Sequence, residues 1–340
     1  MITQTADQNA ATQRVSLTAR LRALPLRDIG MIPVILVVIV IGTVVNDAFL
    51  TRDNAINVLQ QSSELAIVVV AEVLLLLAGK FDLSLESTVG FAPMVAAWLV
   101  APAVVGGQGI QLNPYLGLIV LFGIGAAIGL ANGLLVVKLG LNAFITTLAA
   151  LILLRGATLG VADGRTMSAL PAPLTYLGST SLLGLPLAVW VAAAVFLGAG
   201  IFLRHHRIGR GIYAIGGNRD AAKASGLRVE RILIGIYITA GLLAALAGLL
   251  FMGRLASVTA NQGQNLIFTV FAAAVIGGIS LNGGRGSMLG AFTGVLLLAL
   301  ISNVLTLSAV STFWIQAAQG AIILLALVLQ RATTGETDDS

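Results

Sequence analysis

The chain has 340 residues, 58% of them hydrophobic and only 10% charged, with a formal net charge of +5 and a mean hydropathy of +0.99. Soluble globular domains carry roughly a quarter charged residues, so a soluble fold is excluded. The absence of cysteine excludes disulfides and thiolate metal sites.

Residues 1–28 read as a polar, basic N-terminal tail. They are too long and polar for a signal peptide, and no small-residue cleavage pattern follows them. "SLTARLRALPLRD" within the tail reads either as a short interfacial helix or as a frayed end. Residues 29–330 form one transmembrane domain, and 331–340 a second solvated tail.

Ten apolar segments follow in order: 29–49, 64–79, 87–105, 115–137, 143–162, 184–203, 232–252, 266–280, 286–305 and 312–330. Each is near the 17–25 residues, roughly, that a bilayer requires. Ten-residue alternating segments, the mark of an outer-membrane barrel, are absent. The expectation is an all-α polytopic bundle of about ten spans. The segments 64–79 and 266–280 are the weakest and read as short, broken or re-entrant.

Ten spans place both ends on one side. Alternate loops on that side carry fifteen Lys and Arg: Arg14, Arg20, Arg22, Arg27, Lys80, Lys138, seven within 204–231, Arg285 and Arg331. The other side carries three, Arg52, Arg165 and Arg254, while Arg155 falls inside a span. The positive-inside rule makes the first side cytoplasmic, in a bacterial inner membrane.

Gly125, Gly129 and Gly133 recur every four residues, as do Gly286, Gly290 and Gly294. Small residues so spaced let membrane helices approach closely, within the chain or in a C2 homodimer. The two ladders lie five spans apart, which implies an inverted repeat. Pairing Ser87–Gly90 with Ser287–Gly290 implies a parallel one.

Catalytic chemistry is missing. The two histidines, His205 and His206, sit beside Arg204 and Arg207 in a loop and read as interfacial residues. No G-x-x-x-x-G-K-[ST] run or HExxH occurs, so the chain offers no ATP cradle or zinc site. Ionisable residues at depth are few: Glu72, Arg155, and Asp82 with Glu86 near a boundary. They read either as a sparse proton relay or as structural pairs, Glu72 with Arg155.

The longest polar stretch between spans is "GRGIYAIGGNRDAAKASGLRVER", residues 209–231. Asn218 can cap a short helix starting near Arg219, and Ala221, Ala222 and Ala224 are small helix formers. Gly226 can end it; Gly216 and Gly217 permit a sharp approach. The stretch reads either as a topology-setting basic loop or as a docking element for a separate ATPase.

These residues resemble a known family. "GRGIYAIGGNRDAAKASGL" is similar to the cytoplasmic loop of ribose-type sugar ABC transporter permeases, and Asp220-Ala221-Ala222 followed by Gly226 matches the spacing of the broader importer loop, EAA-x-x-x-G. "FDLSLES" (81–87), "FITTLAALILLRG" (144–156) and the run 272–307 resemble three further segments of the family in the same order. The resemblance covers roughly residues 30–330. Two positions depart from it: Lys80 and Glu86 stand where the family usually has glycine. They alter selectivity if the segment lines a path, and add solvated charge if it is a cytoplasmic turn.

The resemblance implies the permease subunit of a binding-protein-dependent importer. The chain itself binds no cofactor; ATP and magnesium sit on a partner ATPase. A periplasmic or lipid-anchored binding protein delivers a small neutral solute, most naturally a monosaccharide, to two permease copies in the lipid bilayer. No nucleic acid is involved. Gly216, Gly217, Asn218, Asp220, Ala221, Ala222 and Gly226 are expected to couple to the ATPase, with Ala222 facing its cleft. Phe81, Asp82, Ser84, Gly277 and Gly278 are expected on or beside the path. Rival readings are a branched-chain amino acid or nucleoside permease, an ion-coupled carrier, and an intramembrane hydrolase, the last lacking partners at depth.

Overall fold

The structure, a computed structural model, describes residues 31–334. The expected interfacial helix in the N-terminal tail and the chain beyond 334 lie outside these residues. Thirteen α-helices run in order among the described residues: α1 (Ile32–Val45), α2 (Arg52–Leu77), α3 (Leu85–Val100), α4 (Pro114–Val137), α5 (Ala143–Ala162), α6 (Ala172–Ser179), α7 (Leu187–His205), α8 (Arg207–Gly217), α9 (Arg219–Ala224), α10 (Val229–Leu255), α11 (Leu266–Ile276), α12 (Met288–Leu307) and α13 (Thr312–Thr334). A two-residue hairpin, β1 (Ser181–Leu182) with β2 (Leu185–Pro186), precedes α7.

All ten apolar segments fall on helices. Among the described residues six helices are long and apolar enough to cross a membrane: α2, α4, α5, α7, α10 and α12. Helices α1, α3 and α11 are apolar but shorter. The chain is thus an all-α, polytopic membrane bundle. Local sequence sets several helix starts. Asn113 Oδ1 accepts the Tyr115 N–H and Pro114 follows it, opening α4. Asn142 Oδ1 accepts the Ile145 N–H at α5, and Ser287 Oγ the Gly290 N–H at α12.

One expectation fails at α2. The segment 64–79 is not short; it is the inner half of a 26-residue helix. The preceding polar stretch continues the same helix from a Thr51 cap. From Ile67 to Leu77 every residue of α2 is buried, enclosed by α7, α10, α11 and α12. By contrast α11 is as short as expected, 11 residues ending at Gly277.

Helices α2 and α11 end alike. Lys80 N–H donates to Leu75 O and Gly79 N–H to Leu76 O; Ile279 N–H donates to Ala274 O and Gly278 N–H to Val275 O. Both are Schellman closures, with φ +68° at Gly79 and +81° at Gly278. A helix–turn–helix follows in each case, so the likeness between α2–α3 and α11–α12 runs in the same direction along the chain.

The glycine ladders are used inside the chain. A Cβ at Gly125 would stand 2.5 Å from the Gly241 carbonyl oxygen, and one at Gly129 would run into the Tyr237 carbonyl, so α4 lies backbone against α10. Gly290 and Gly294 press on Gly277 and Ala273, closing α11 on α12. Both ladders are thus taken up by contacts within the chain, the first against α10 and the second against α11.

The ladder yields a stability prediction. Gly129→Ala places a methyl group against the Tyr237 backbone, and overpacking of this kind costs about 1–3 kcal/mol. Gly123→Ala on the same helix meets nothing within 4 Å and gains helix propensity. Thermal unfolding in detergent is expected to show a lowered Tm for the first and an unchanged or raised Tm for the second.

Candidate functional site

The 209–231 stretch folds as α8 and α9. His206 Nδ1 accepts the Ile208 N–H at 3.2 Å and its ring stacks on Phe202 at 5.2 Å, so this histidine is a helix cap. Asn218 Oδ1 accepts the Ala221 N–H at 2.9 Å, capping α9. The helix closes at Gly226, φ +85°, with Gly226 N–H donating to Lys223 O and Leu227 N–H to Ala222 O. Gly217, Asn218, Asp220 and Ala221 are exposed.

Ala222 overturns its expected orientation. It is 3% exposed and belongs to the chain's own core. A helix of six residues must seat one face on the bundle, and the small residue on that face is the one that allows close approach. The outward small residues are Ala214, Ala221 and Ala224.

Gly216 makes the tightest contact of the region. A Cβ there would run into the Leu77 carbonyl oxygen and stand 2.5 Å from the Gly284 nitrogen. Gly284 N–H donates to that same Leu77 oxygen at 2.9 Å. Gly283 and Gly284 hold φ of +88° and +69° and lie against the Gly216–Gly217 backbone. Tyr213 OH donates to Gly286 O at 3.0 Å. Helix α8 thus meets the end of α2 and the turn before α12 backbone to backbone. Lys80 lies at this junction, partly buried; burial, and secondarily the Arg219 guanidinium, hold its pKa below the ordinary lysine value.

The FDLS segment forms a buried knot. Asp82 Oδ1 accepts Ser84 N–H at 2.9 Å and Ser84 Oγ–H at 2.6 Å. Asn132 Nδ2 donates to Ser84 Oγ at 2.7 Å and to both Asp82 oxygens at 3.3 Å. Leu83 N–H donates to Thr147 Oγ1, and Tyr237 OH to Phe81 O. Asp82 and Ser84 are buried, as is Gly277; Gly278 is exposed and Phe81 partly so. The Phe81 ring lies 5.9 Å from that of Phe271 on α11, bringing the two turns together.

The depth-lying charges sit in separate settings. Arg155 pairs with Glu86 at 2.9 Å, not with Glu72. The other Glu86 oxygen accepts the Ile267 N–H, tying α3 and α5 to the start of α11. Glu86 is therefore a buried, paired carboxylate rather than solvated charge. Glu64 holds Arg254 in a bidentate pair, 2.7 and 2.9 Å. Glu72 Oε1 accepts the Asp82 N–H at 3.4 Å, while its Oε2 has no partner among the described residues.

A pocket that the sequence reading missed lies at the other end of α2. A cavity of about 190 Å³ is lined by Gln61 and Ser62 of α2, Ser302, Asn303 and Thr306 of α12, and Gln319 of α13. Asn54 and Asn303 exchange amide hydrogen bonds at 2.8 and 2.9 Å, and Gln319 Nε2 donates to Ser302 Oγ at 3.0 Å. No charged side chain lines it. The signal for it was helical spacing: Val58, Gln61, Ser62 and Leu65 share one face, as do Ser302, Asn303 and Thr306. Amides and hydroxyls without charge suit a neutral, hydroxyl-rich solute.

The chain is similar in sequence to known transport proteins. A family model described as branched-chain amino acid transport system / permease component matches residues 54–327. The Escherichia coli (strain K12) ribose import permease protein RbsC is 37% identical over 87% of this chain and 91% of that protein. RbsC of Bacillus subtilis (strain 168) is 34% identical over 87% and 90%. The galactose/methyl galactoside import permease protein MglC of Escherichia coli (strain K12) is 33% identical over 89% and 94%. No solved structure matches the chain significantly.

The Glu86–Arg155 pair supplies the test of this region's wiring. Arg155→Leu leaves a buried carboxylate uncompensated, a loss of about 3–5 kcal/mol. Glu86→Gln with Arg155→Leu removes both charges and is expected to recover most of that loss in detergent melting curves.

Proposed function

The chain belongs to the family of branched-chain amino acid transport system / permease components, with the ribose-type sugar ABC permeases as its relatives, and on that premise we propose that it carries a monosaccharide or related polyol into the cytoplasm, driven by ATP hydrolysis on a partner subunit. The chain is a transport subunit rather than an enzyme. The observation that carries the reading is the path of α2 and α12. Both helices meet α8 at the glycine junction, and both line the neutral pocket at their far ends. From Leu77 to Gln61 is roughly 24 Å of helix at about 1.5 Å per residue. An ATPase closing on the exposed faces of α8 and α9 acts on two stiff rods that end at the solute.

The remaining parts follow. Ten spans, with both chain ends and α8–α9 cytoplasmic, accord with the fifteen Lys and Arg that alternate loops place on that side. In this reading, a periplasmic or lipid-anchored binding protein delivers the solute at the pocket end. Gly216, Gly217, Asn218, Asp220, Ala221 and Gly226 form the coupling element, with Ala222 as its inward anchor. Phe81 and Gly278 flank the inner part of the route, while Asp82 and Ser84 hold its hairpin in shape. An ion-coupled carrier fits less well, because Glu64 and Glu86 are each held by an arginine.

A second copy of the chain completes the path, packed through α5. That helix leaves Ile152, Leu153 and Leu159 exposed, and nothing lies within 4 Å of a Cβ at Gly156 or Gly160. The chain has no cysteine. Gly160→Cys is therefore expected to give a disulfide-linked dimer in oxidised membranes, and a monomer-only band would remove the homodimer.

The function is tested by uptake of labelled pentoses and hexoses in cells carrying the complete importer. Asn303→Leu is expected to cut uptake about tenfold, by loss of one or two hydrogen bonds, with ATPase co-purification intact. Gly216→Ala is expected to abolish uptake with the ATPase still bound. Uptake that survives without the ATPase and collapses with a protonophore would establish the ion-coupled carrier instead.

A further inference from the structure

Helices α7 and α10 diverge on the outer side of the bundle and leave a groove of about 1000 Å³. Its walls and floor are apolar, with Val195 and Phe202 from α7, Ile232 and Ile236 from α10, and Val70 and Leu74 of α2 beneath. Along α10 it reaches from Arg228 to Leu243, roughly 22 Å at about 1.5 Å per residue. One leaflet of a hydrocarbon core about 30 Å thick accounts for most of that length.

The groove ends in positive charge. Arg207, Arg228 and Arg231 line its end beside α8, and all three are exposed. None has a carboxylate within ion-pair distance among the described residues. Glu230, between two of them in sequence, is taken by Lys138 of α4. The apolar length offers a solute nothing to bond. Its one hydroxyl, on Thr239, donates to Gly235 O of the same helix at 2.8 Å. A sugar has no site here, whereas an amphiphile with an anionic head matches both parts.

We propose that this groove binds one anionic phospholipid, its acyl chains along α7 and α10 and its phosphate at Arg207, Arg228 and Arg231. Guanidinium groups hold phosphate oxygens through paired, charge-assisted hydrogen bonds, and basic residues at the membrane surface favour anionic over zwitterionic lipid. The site touches α2, α8 and the Gly226 turn at once. A lipid seated there braces the coupling element against the central helix.

The test is native mass spectrometry of the purified full chain, titrated with phosphatidylglycerol or phosphatidylcholine. The wild type is expected to retain phosphatidylglycerol preferentially. Each Arg→Gln change is expected to weaken one bound phosphatidylglycerol about fivefold, and the triple change Arg207→Gln/Arg228→Gln/Arg231→Gln on the order of a hundredfold. Gly235→Phe places a ring in the groove where a Cβ meets nothing within 4 Å, and it is expected to remove the same lipid without disturbing the fold. Equal retention of the two lipids by the wild type overturns the proposal. So does undiminished phosphatidylglycerol binding in Gly235→Phe. A triple variant that keeps the lipid but loses the ATPase assigns the arginines to that protein. A Gly235→Phe variant that keeps the lipid but dissociates into monomers assigns the groove to a second copy.

Discussion

Backbone contact at Gly216 is the constraint on which the rest of the structure depends. Three chain segments meet there without side chains between them: α8, the last turn of α2 and the Gly283–Gly284 turn. The Leu77 carbonyl is the shared point, accepting the Gly284 N–H while Gly216 lies against it. Contacts of this kind do not repack as side chains do, because no rotamer can absorb a shift. A displacement of α8 therefore moves α2 and α12 together. The Schellman closures at Gly79 and Gly278 fix the turns on either side, since their positive φ is strained for other residues.

Buried charge in this chain serves to join helices that are far apart in sequence. Glu64 binds Arg254 across α2 and α10, and Glu86 binds Arg155 across α3 and α5. A carboxylate buried in a membrane bundle is costly alone, so each pair strongly disfavours any arrangement that separates its members. Of the two departures from the sugar-permease pattern, Glu86 follows this rule and Lys80 does not. Glu86 gained a partner and a helix end to hold. Lys80 is half-buried, and burial together with the like charge of Arg219 lowers its pKa.

The apolar runs revealed the helices, and the residue types at Asn218 and Gly226 revealed the short helix between them, because caps and positive-φ glycines act locally. The orientation of Ala222 was not legible: Ala221 and Ala222 are alike in type, and only packing on the bundle distinguishes them. The glycine ladders were visible, but their partners were not, since close approach says nothing of which helix approaches. The neutral pocket was missed because hydropathy ended the second segment where Gln61 and Ser62 begin. Those residues line the pocket, and their polarity is what removed them from the span. Partners of the buried acids also lay beyond reach: Arg155 was paired with Glu72 on depth alone, and the structure pairs it with Glu86.

The burial of α2 has a consequence for how the chain is made. This helix carries Glu64 and Glu72 within an otherwise apolar inner half, and a carboxylate at depth is costly until it finds a partner. Its main counter-ion, Arg254, lies 190 residues later in the chain. At about 5–20 residues per second of synthesis, roughly ten to forty seconds separate the two. During that interval Glu64 has no Arg254 to pair with, so the native contact of α2 with α10 can close only after α10 has been made. The central helix is thus made early and completed late, because its partners come from the second half of the chain.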